Sequence, residues 1–531
     1  MDLTTFDAVL SRKPFGDSGY VREQMHRAFK RRLESLCVSV PAARHLLTAL
    51  QHATPHLEYR TLGDPLLRRA VQQLLTPEVV GPRRKSLSPQ SAAHVLETIA
   101  QHVEAGAANG PLQGESAGAR WLGDPSRTPW IWSPDQDRGF AGHTFTRFIE
   151  QQFGAELAQP SESDLAVLRQ GCRLLDELLP LTSRGALSHT HLIGLTPGTD
   201  AWAGKSSSSQ FTVVGIIFLN RKLLQNPWWV AEHLLHEALH QKLYDFRHAH
   251  SMLTRDLDDS PNAPGDVSRV VSLWNVPGVD GNNRWDVHRV MAAFHVYVHL
   301  ALLCSLAEQH ASRLRDTYGP LDAPRPMTAS RKAFARAHYL AESLRAECWD
   351  ELGLAGRRMV DWLNAVLDAM DQTPPPAGSF LHLLLDRYLK EARRLREAPV
   401  TDDLATTLAA LGRSEAETFR EVLSAVGAKD PLDTRTAEQA PRPARDDRAT
   451  DGTADRAEHH ATFAQQRQRI ADTLLRLAPN GYSLDSLCRP AGRSADEMVR
   501  AMVETSSREL AATSAATPAN PDRRPRHRPS S

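Results

Sequence analysis

WWVAEHLLHEALHQKLYDF, residues Trp228 to Phe246, is the stretch whose reading decides the fold. It contains His236-Glu237-Ala238-Leu239-His240, an HExxH motif. Residues four apart share a helical face, so His236 and His240 can both offer a ring nitrogen to one metal ion, with Glu237 beside it as the candidate catalytic residue. Asn226 and Pro227 suit an N-cap and a first helical position, and Leu235, Leu239, Lys242 and Phe246 follow a second, mostly apolar stripe. The competing explanation is an amphipathic core helix with incidental histidines. Just upstream, Phe211 to Asn220 (FTVVGIIFLN) reads as a strand entered from a Ser-rich turn at Ser206 to Ser209. A strand beside an HExxH helix is an arrangement that can hold an extended peptide backbone along a sheet edge.

Working outward, the expected fold class is mainly α (α+β): a helical protein with a small sheet beside the HExxH metal-binding helix. A chain of 531 residues exceeds one compact core. The expected organisation is an N-terminal helical region over 1–138 and an HExxH catalytic domain over 139–400. A helix and then a disordered linker follow over 401–460, a small helical segment over 461–510 and a disordered tail over 511–531. The linker expectation rests on Asp, Arg, Thr, Ala and Pro with almost no large apolar residues from Gly427 to about His460.

Lys plus Arg and Asp plus Glu both number 63, so net charge gives no argument for nucleic acid or an anionic membrane. The five cysteines show no CxxC spacing, which argues for a reducing compartment, the cytoplasm, and against a zinc ribbon. The N-terminus lacks the basic and apolar pattern of a secretion signal. Val290 to Ala307 carries no formal charge, but His295 and His299 interrupt it and it barely reaches spanning length, so it reads as a buried core helix.

A metal centre needs a third donor. On the helix that starts near Arg284, His288, His295 and His299 are spaced seven and four apart and share one face. His288, nearest the N-terminal loop, is the expected third ligand; His295 or a downstream carboxylate, Glu342 or Glu347, is the alternative. His189 and His191 read as packing or surface residues that could also line the site.

The run from the SSSS turn through GIIFLN, AEHLLHEALHQKL, SLWN and the VHRVMAAFHVY helix resembles a family of bacterial HExxH-containing peptide-modification proteins. These are associated with ribosomally made, post-translationally modified peptides. The similarity covers roughly Phe140 to Val400. It implies an iron(II)- and 2-oxoglutarate-dependent peptide β-hydroxylase acting on a precursor peptide, with His236, His240 and His288 as metal ligands. One stretch departs from the pattern: Ser272-Leu273-Trp274-Asn275 stands where a Ser-Pro-Trp-Arg type is expected. Where the resemblance implies an arginine that grips the cosubstrate, the departure leaves that role without its expected residue or passes it to Arg284 or Arg289. Two further readings stay open: a zinc(II) peptidase with Glu237 as general base, and a catalytically idle protein that holds a leader peptide.

Overall fold

Prolines and small polar caps set the helix starts. The computed structural model describes residues 2–76, 87–106, 120–124, 129–136, 139–199, 202, 205–254, 270–275, 283–322, 326–375, 378, 380–425, 427, 452–477 and 495–516. Asp2 and Asp17 cap α1 (Leu3–Leu10) and α2 (Ser18–Leu36). The next four helices, α3 (Pro41–His52), α4 (Pro55–Gly63), α5 (Pro65–Leu75) and α6 (Pro89–Glu104), each begin on proline, whose missing N–H is one the first turn leaves unbonded anyway. After β1 (Trp130–Ile131) come α7 (Gly139–Phe153), α8 (Glu162–Leu178) and α9 (Pro180–Leu187). A reciprocal Ser161/Asp164 capping box starts α8.

The centre of the chain supplies β2 (Leu192–Thr196), β3 (Ser207–Ser209), β4 (Ile216–Asn220) and α10 (Pro227–Ala249). Beyond it lie β5 (Val270–Val271), β6 (Arg284–Trp285), α11 (Val287–Tyr318), α12 (Ser330–Ala346) and α13 (Leu354–Met370). The C-terminal helices are α14 (Leu381–Glu397), α15 (Asp402–Ala425), α16 (Gly452–Leu477) and α17 (Ala495–Ala516). The protein is mainly helical with a small sheet beside the HExxH helix, as its sequence predicts.

That sheet has the order β1-β2-β4-β3, with β1, β2 and β4 parallel and β3 antiparallel at the edge. Two local expectations are corrected. The strand expected over Phe211 to Asn220 begins only at Ile216, because Gly215 takes φ +98° and breaks the extended run. Conversely, Ser207–Ser209, expected as a turn, is strand β3. Serine has no strong strand preference of its own, and pairing with the apolar β4 decides the outcome.

The chain divides into two units. The first comprises Met1–Ser268 and Val287–Gln372, in which α10 packs against α2, α8, α9 and α11. The N-terminal helices do not form a region of their own. Leu33, Leu46, Leu67 and Leu96 share one apolar cluster with Trp130, Phe145, Trp202 and Phe218 around the sheet. Helix α11 is long and apolar enough to cross a membrane, but 89% of its apolar window is buried inside the protein. The second unit comprises Arg269–Asp286 and Thr373–Ser531. Here α14 and α15 pack against α16 and α17 around fully buried Arg467, which pairs with Glu391 at 3.1 Å and Glu415 at 3.0 Å. The β5–β6 hairpin belongs to this unit: Lys390 Nζ donates to the Trp274 carbonyl at 3.0 Å, and Trp274 meets Trp285 edge-on at 5.4 Å. Most of the expected linker lies outside the described residues, and α16 starts at Gly452, inside its expected span.

Gly171 lets α8 approach α10: a Cβ there would stand 2.5 Å from Val230 Cγ1 and 2.9 Å from Val230 Cβ. On an exposed helix, Gly→Ala stabilises by about 0.5–1 kcal/mol. Here overpacking outweighs that gain, and Gly171→Ala is expected to cost about 1–3 kcal/mol. Urea denaturation checks this; an unchanged or higher midpoint would contradict the α8–α10 contact.

Candidate functional site

Helix α10 begins where the Asn226 side chain accepts the Trp228 N–H at 2.9 Å and Pro227 occupies the first position. Its sides carry different chemistry. On one, Gln241 is fully buried and clamps the start of β4: its Oε1 accepts the Gly215 N–H at 2.7 Å and its Nε2 donates to the Ile216 carbonyl at 2.8 Å. Next around the helix, Glu237 is 3% exposed and accepts the Ser207 hydroxyl at 2.6 Å, which ties α10 to edge strand β3. Its other oxygen has no hydrogen-bond partner among the described residues. Burial pushes the Glu237 carboxyl up, against the pull of the Ser207 and Ser209 hydroxyls and His233.

Beyond Glu237 lies a ladder of rings. His233 stacks on Trp229 at 3.8 Å, His236 lies 6.4 Å from His233, and His240 meets His236 edge-on at 5.0 Å. Tyr244 continues it 6.2 Å from His240. All three histidines are half-buried. His288, at the start of α11, approaches from outside the helix, its ring 5.8 Å from Tyr244 and 5.8 Å from Phe211. His288, the predicted third ligand, thus lies beside Tyr244, the residue one turn beyond His240 on α10. Among the described residues, no three His, Cys, Asp or Glu side chains stand together in positions that could hold a metal ion.

The donor chemistry nevertheless fits a divalent cation. Burial pushes His236 down to about 4 and His288 down to about 3, and holds His240 well below its usual value. At neutral pH all three are uncharged imidazoles, the form that binds metals. His240 Nδ1 and His288 Nε2 are buried without a hydrogen-bond partner among the described residues. Such an unsatisfied group costs about 1–3 kcal/mol, so the site gains from any ligand that engages it. Charged groups also act on these rings: Arg289 on His240, Arg247 on His288, and Glu232 opposed by Arg336 on His236. The Arg247 guanidinium lies 4.0 Å from the Phe211 ring centre.

The other expected residues are placed elsewhere. Arg284 is exposed on β6 in the second unit, and Arg289 is exposed on α11 next to His288. Glu342 is half-buried on α12, while Glu347 is exposed just past its end; neither is among the charges acting on the three imidazoles. His189, His191, His295 and His299 are buried in the core. His189 Nδ1 lies 2.7 Å from Asp245, which also binds Arg68 at 2.7 Å. Burial alone would raise the Asp245 carboxyl; Arg68, His189 and His191 outweigh it and hold the group below its usual range. His299 Nδ1 bonds the His295 carbonyl at 2.7 Å.

Sequence reasoning missed Tyr244, His248, whose ring stacks on Phe211 at 4.9 Å, His233, Phe211, Arg247 and Ser207. The first two were legible, since 236, 240, 244 and 248 form one i,i+4 series. Ser207 was not, because its role depends on the pairing of β3 with β4.

Buried imidazoles also set the acid stability. His189 and His236 are pushed to about 4 and His288 and His299 to about 3, by burial in each case, from a usual 6.5. Between those limits the unfolded chain binds more protons, so the imidazole contribution to stability is complete above pH 6.5 and is lost as pH falls towards 4 and 3. Thermal melts should show Tm falling steadily as pH drops below 6.5; a Tm unchanged from pH 6.5 down to 5 would contradict these environments. Compared with known proteins, the chain matches no family model and no curated relative.

Proposed function

We propose that this chain is an iron(II)- and 2-oxoglutarate-dependent hydroxylase that modifies a side chain of a ribosomally made precursor peptide. The observation that carries this reading is the HExxH pair His236 and His240 on one face of α10, rings 5.0 Å apart, with Tyr244 next along that face 5.8 Å from His288 of α11 and Arg247 set over Phe211. Three neutral ligands would leave the full charge of a dication in place, and two arginines add to it. Such a site favours an anionic chelating partner, and a 2-oxo dicarboxylate is one. His236, His240 and His288 would hold the ion, which supplies the capacity to insert an oxygen atom into a C–H bond when the cosubstrate is bound. Arg289 or Arg247 would orient the distal carboxylate, while Phe211 and Tyr244 form an apolar wall against water. Glu237, bonded to Ser207, would act by positioning β3. The four described cysteines are all free thiols, which supports a cytoplasmic setting.

One observation favours the zinc peptidase: the second Glu237 oxygen is unpartnered and its carboxyl is pushed up by burial, as suits a general base.

The test is to purify the protein without oxygen, add iron(II) and 2-oxoglutarate with candidate peptides, and follow succinate and peptide mass. Succinate release with a gain of one oxygen atom is expected. His240→Ala should abolish it, while Glu237→Gln, which keeps an acceptor for Ser207, should retain activity within about tenfold. A cleaved backbone, together with a loss of about 10²–10⁴-fold in Glu237→Gln, would establish the peptidase instead.

A further inference from the structure

The edge strand lies where a peptide would have to bind. In the β3–β4 pair the register is Ser207↔Leu219, Ser208↔Phe218 and Ser209↔Ile217, and the Asn220 N–H donates to the Ser206 carbonyl at 3.0 Å. That bond fixes the phase of the ladder. Ser206 and Ser208 turn their peptide groups towards β4, so Ser207 and Ser209 turn theirs to the open edge. Among the described residues no strand pairs there, and no backbone hydrogen bond reaches the N–H or C=O of either residue on that side. The strand is half-buried along its whole length.

Helix α10 indicates what faces that edge. At about 100° per residue, Gln241, Glu237, His240 and His236 follow one another around the helix in steps of roughly 40–60°. The first binds β4 and the second binds β3. The imidazole pair comes next in the same sweep, under the position of a strand that would lie beside β3.

We propose that β3 is the docking strand for an extended peptide segment, which joins the sheet through the outward N–H and C=O groups of Ser207 and Ser209. The inference rests on the reading of the imidazole face as the reacting centre, and it specifies how the substrate is presented to it. Main-chain pairing supplies affinity with little dependence on sequence. Small serine side chains leave room for large cross-strand neighbours on the peptide. Strand geometry alternates side chains between faces, so only every second peptide residue points at α10. Modified positions within one bound segment are therefore separated by even numbers of residues.

The probe is a linear twelve-residue peptide selected from a phage library on the full-length, metal-free chain, then synthesised. Amide hydrogen exchange should slow at Ser207 and Ser209 when it binds. An N-methyl scan of the peptide should weaken binding at alternate positions within the bound segment. Ser209→Pro removes one outward donor without touching the bonds of Ser208 to β4, and it should raise the Kd about three- to tenfold. Should that variant misfold, the exchange and N-methyl data still decide. Protection confined to other parts of the protein, or an N-methyl scan without a period of two, would overturn the proposal. Binding along β3 with neither hydroxylation nor cleavage in the iron(II) assay would instead overturn the catalytic reading and leave the docking strand standing.

Discussion

The amide of Gln241 holds the centre of this protein together. Its two hydrogen bonds to the start of β4 fix both the height and the rotation of α10 relative to the sheet. A buried amide that found only one of these partners would leave a polar group unsatisfied at a cost of about 1–3 kcal/mol, so the register of helix on strand is strongly determined. Gly215 makes the clamp possible. It turns its N–H towards Gln241 at a positive φ, and a Cβ there would lie 2.5 Å from the Gly63 carbonyl oxygen. Once this contact is set, Glu237 reaches Ser207 and the ring ladder faces outward.

The far side of α10 is polar in a different way. Asp245, Lys242, His189 and Arg68 are all buried, and each has a specific partner: Asp245 bridges Arg68 and His189, and Lys242 Nζ donates to the Gly16 carbonyl at 2.5 Å. Burial pushes Lys242 down to about 7. Buried pairs of this kind add little net stability, but removing one member leaves the other uncompensated, which makes the packing of α10 on α2 and α9 intolerant of alternatives. The helix is thus fixed on both flanks, and the half-buried face between them carries the unpartnered Nδ1 of His240.

Much of this could be read from the residues. The HExxH spacing gave the helix and the shared face of His236 and His240, and the apolar run with His288 at its start gave α11. What escaped reading depended on pairing between distant segments. Nothing local in four serines announces an edge strand, since β3 exists because β4 offers it a ladder. Nor does the spacing of His288, His295 and His299 tell which of them leaves the core, although the structure buries the latter two and leaves His288 beside Phe211 and Tyr244. The separate N-terminal region expected over 1–138 failed to appear for the same reason: its helices share one apolar cluster with Phe145 and Phe218, which lie beyond residue 138.

The order of the chain also constrains its synthesis. Residues 269–286 leave the ribosome between α10 and α11, yet they belong with helices that begin after Thr373, and Trp274 waits for Lys390 to be translated before it gains its hydrogen bond. A nascent chain therefore carries an unsatisfied hairpin through the emergence of about a hundred residues, roughly 5–20 s at ordinary elongation rates. Over that interval the Trp274 and Trp285 rings lack their final packing, an opening for chaperones or aggregation that a shorter excursion would have avoided.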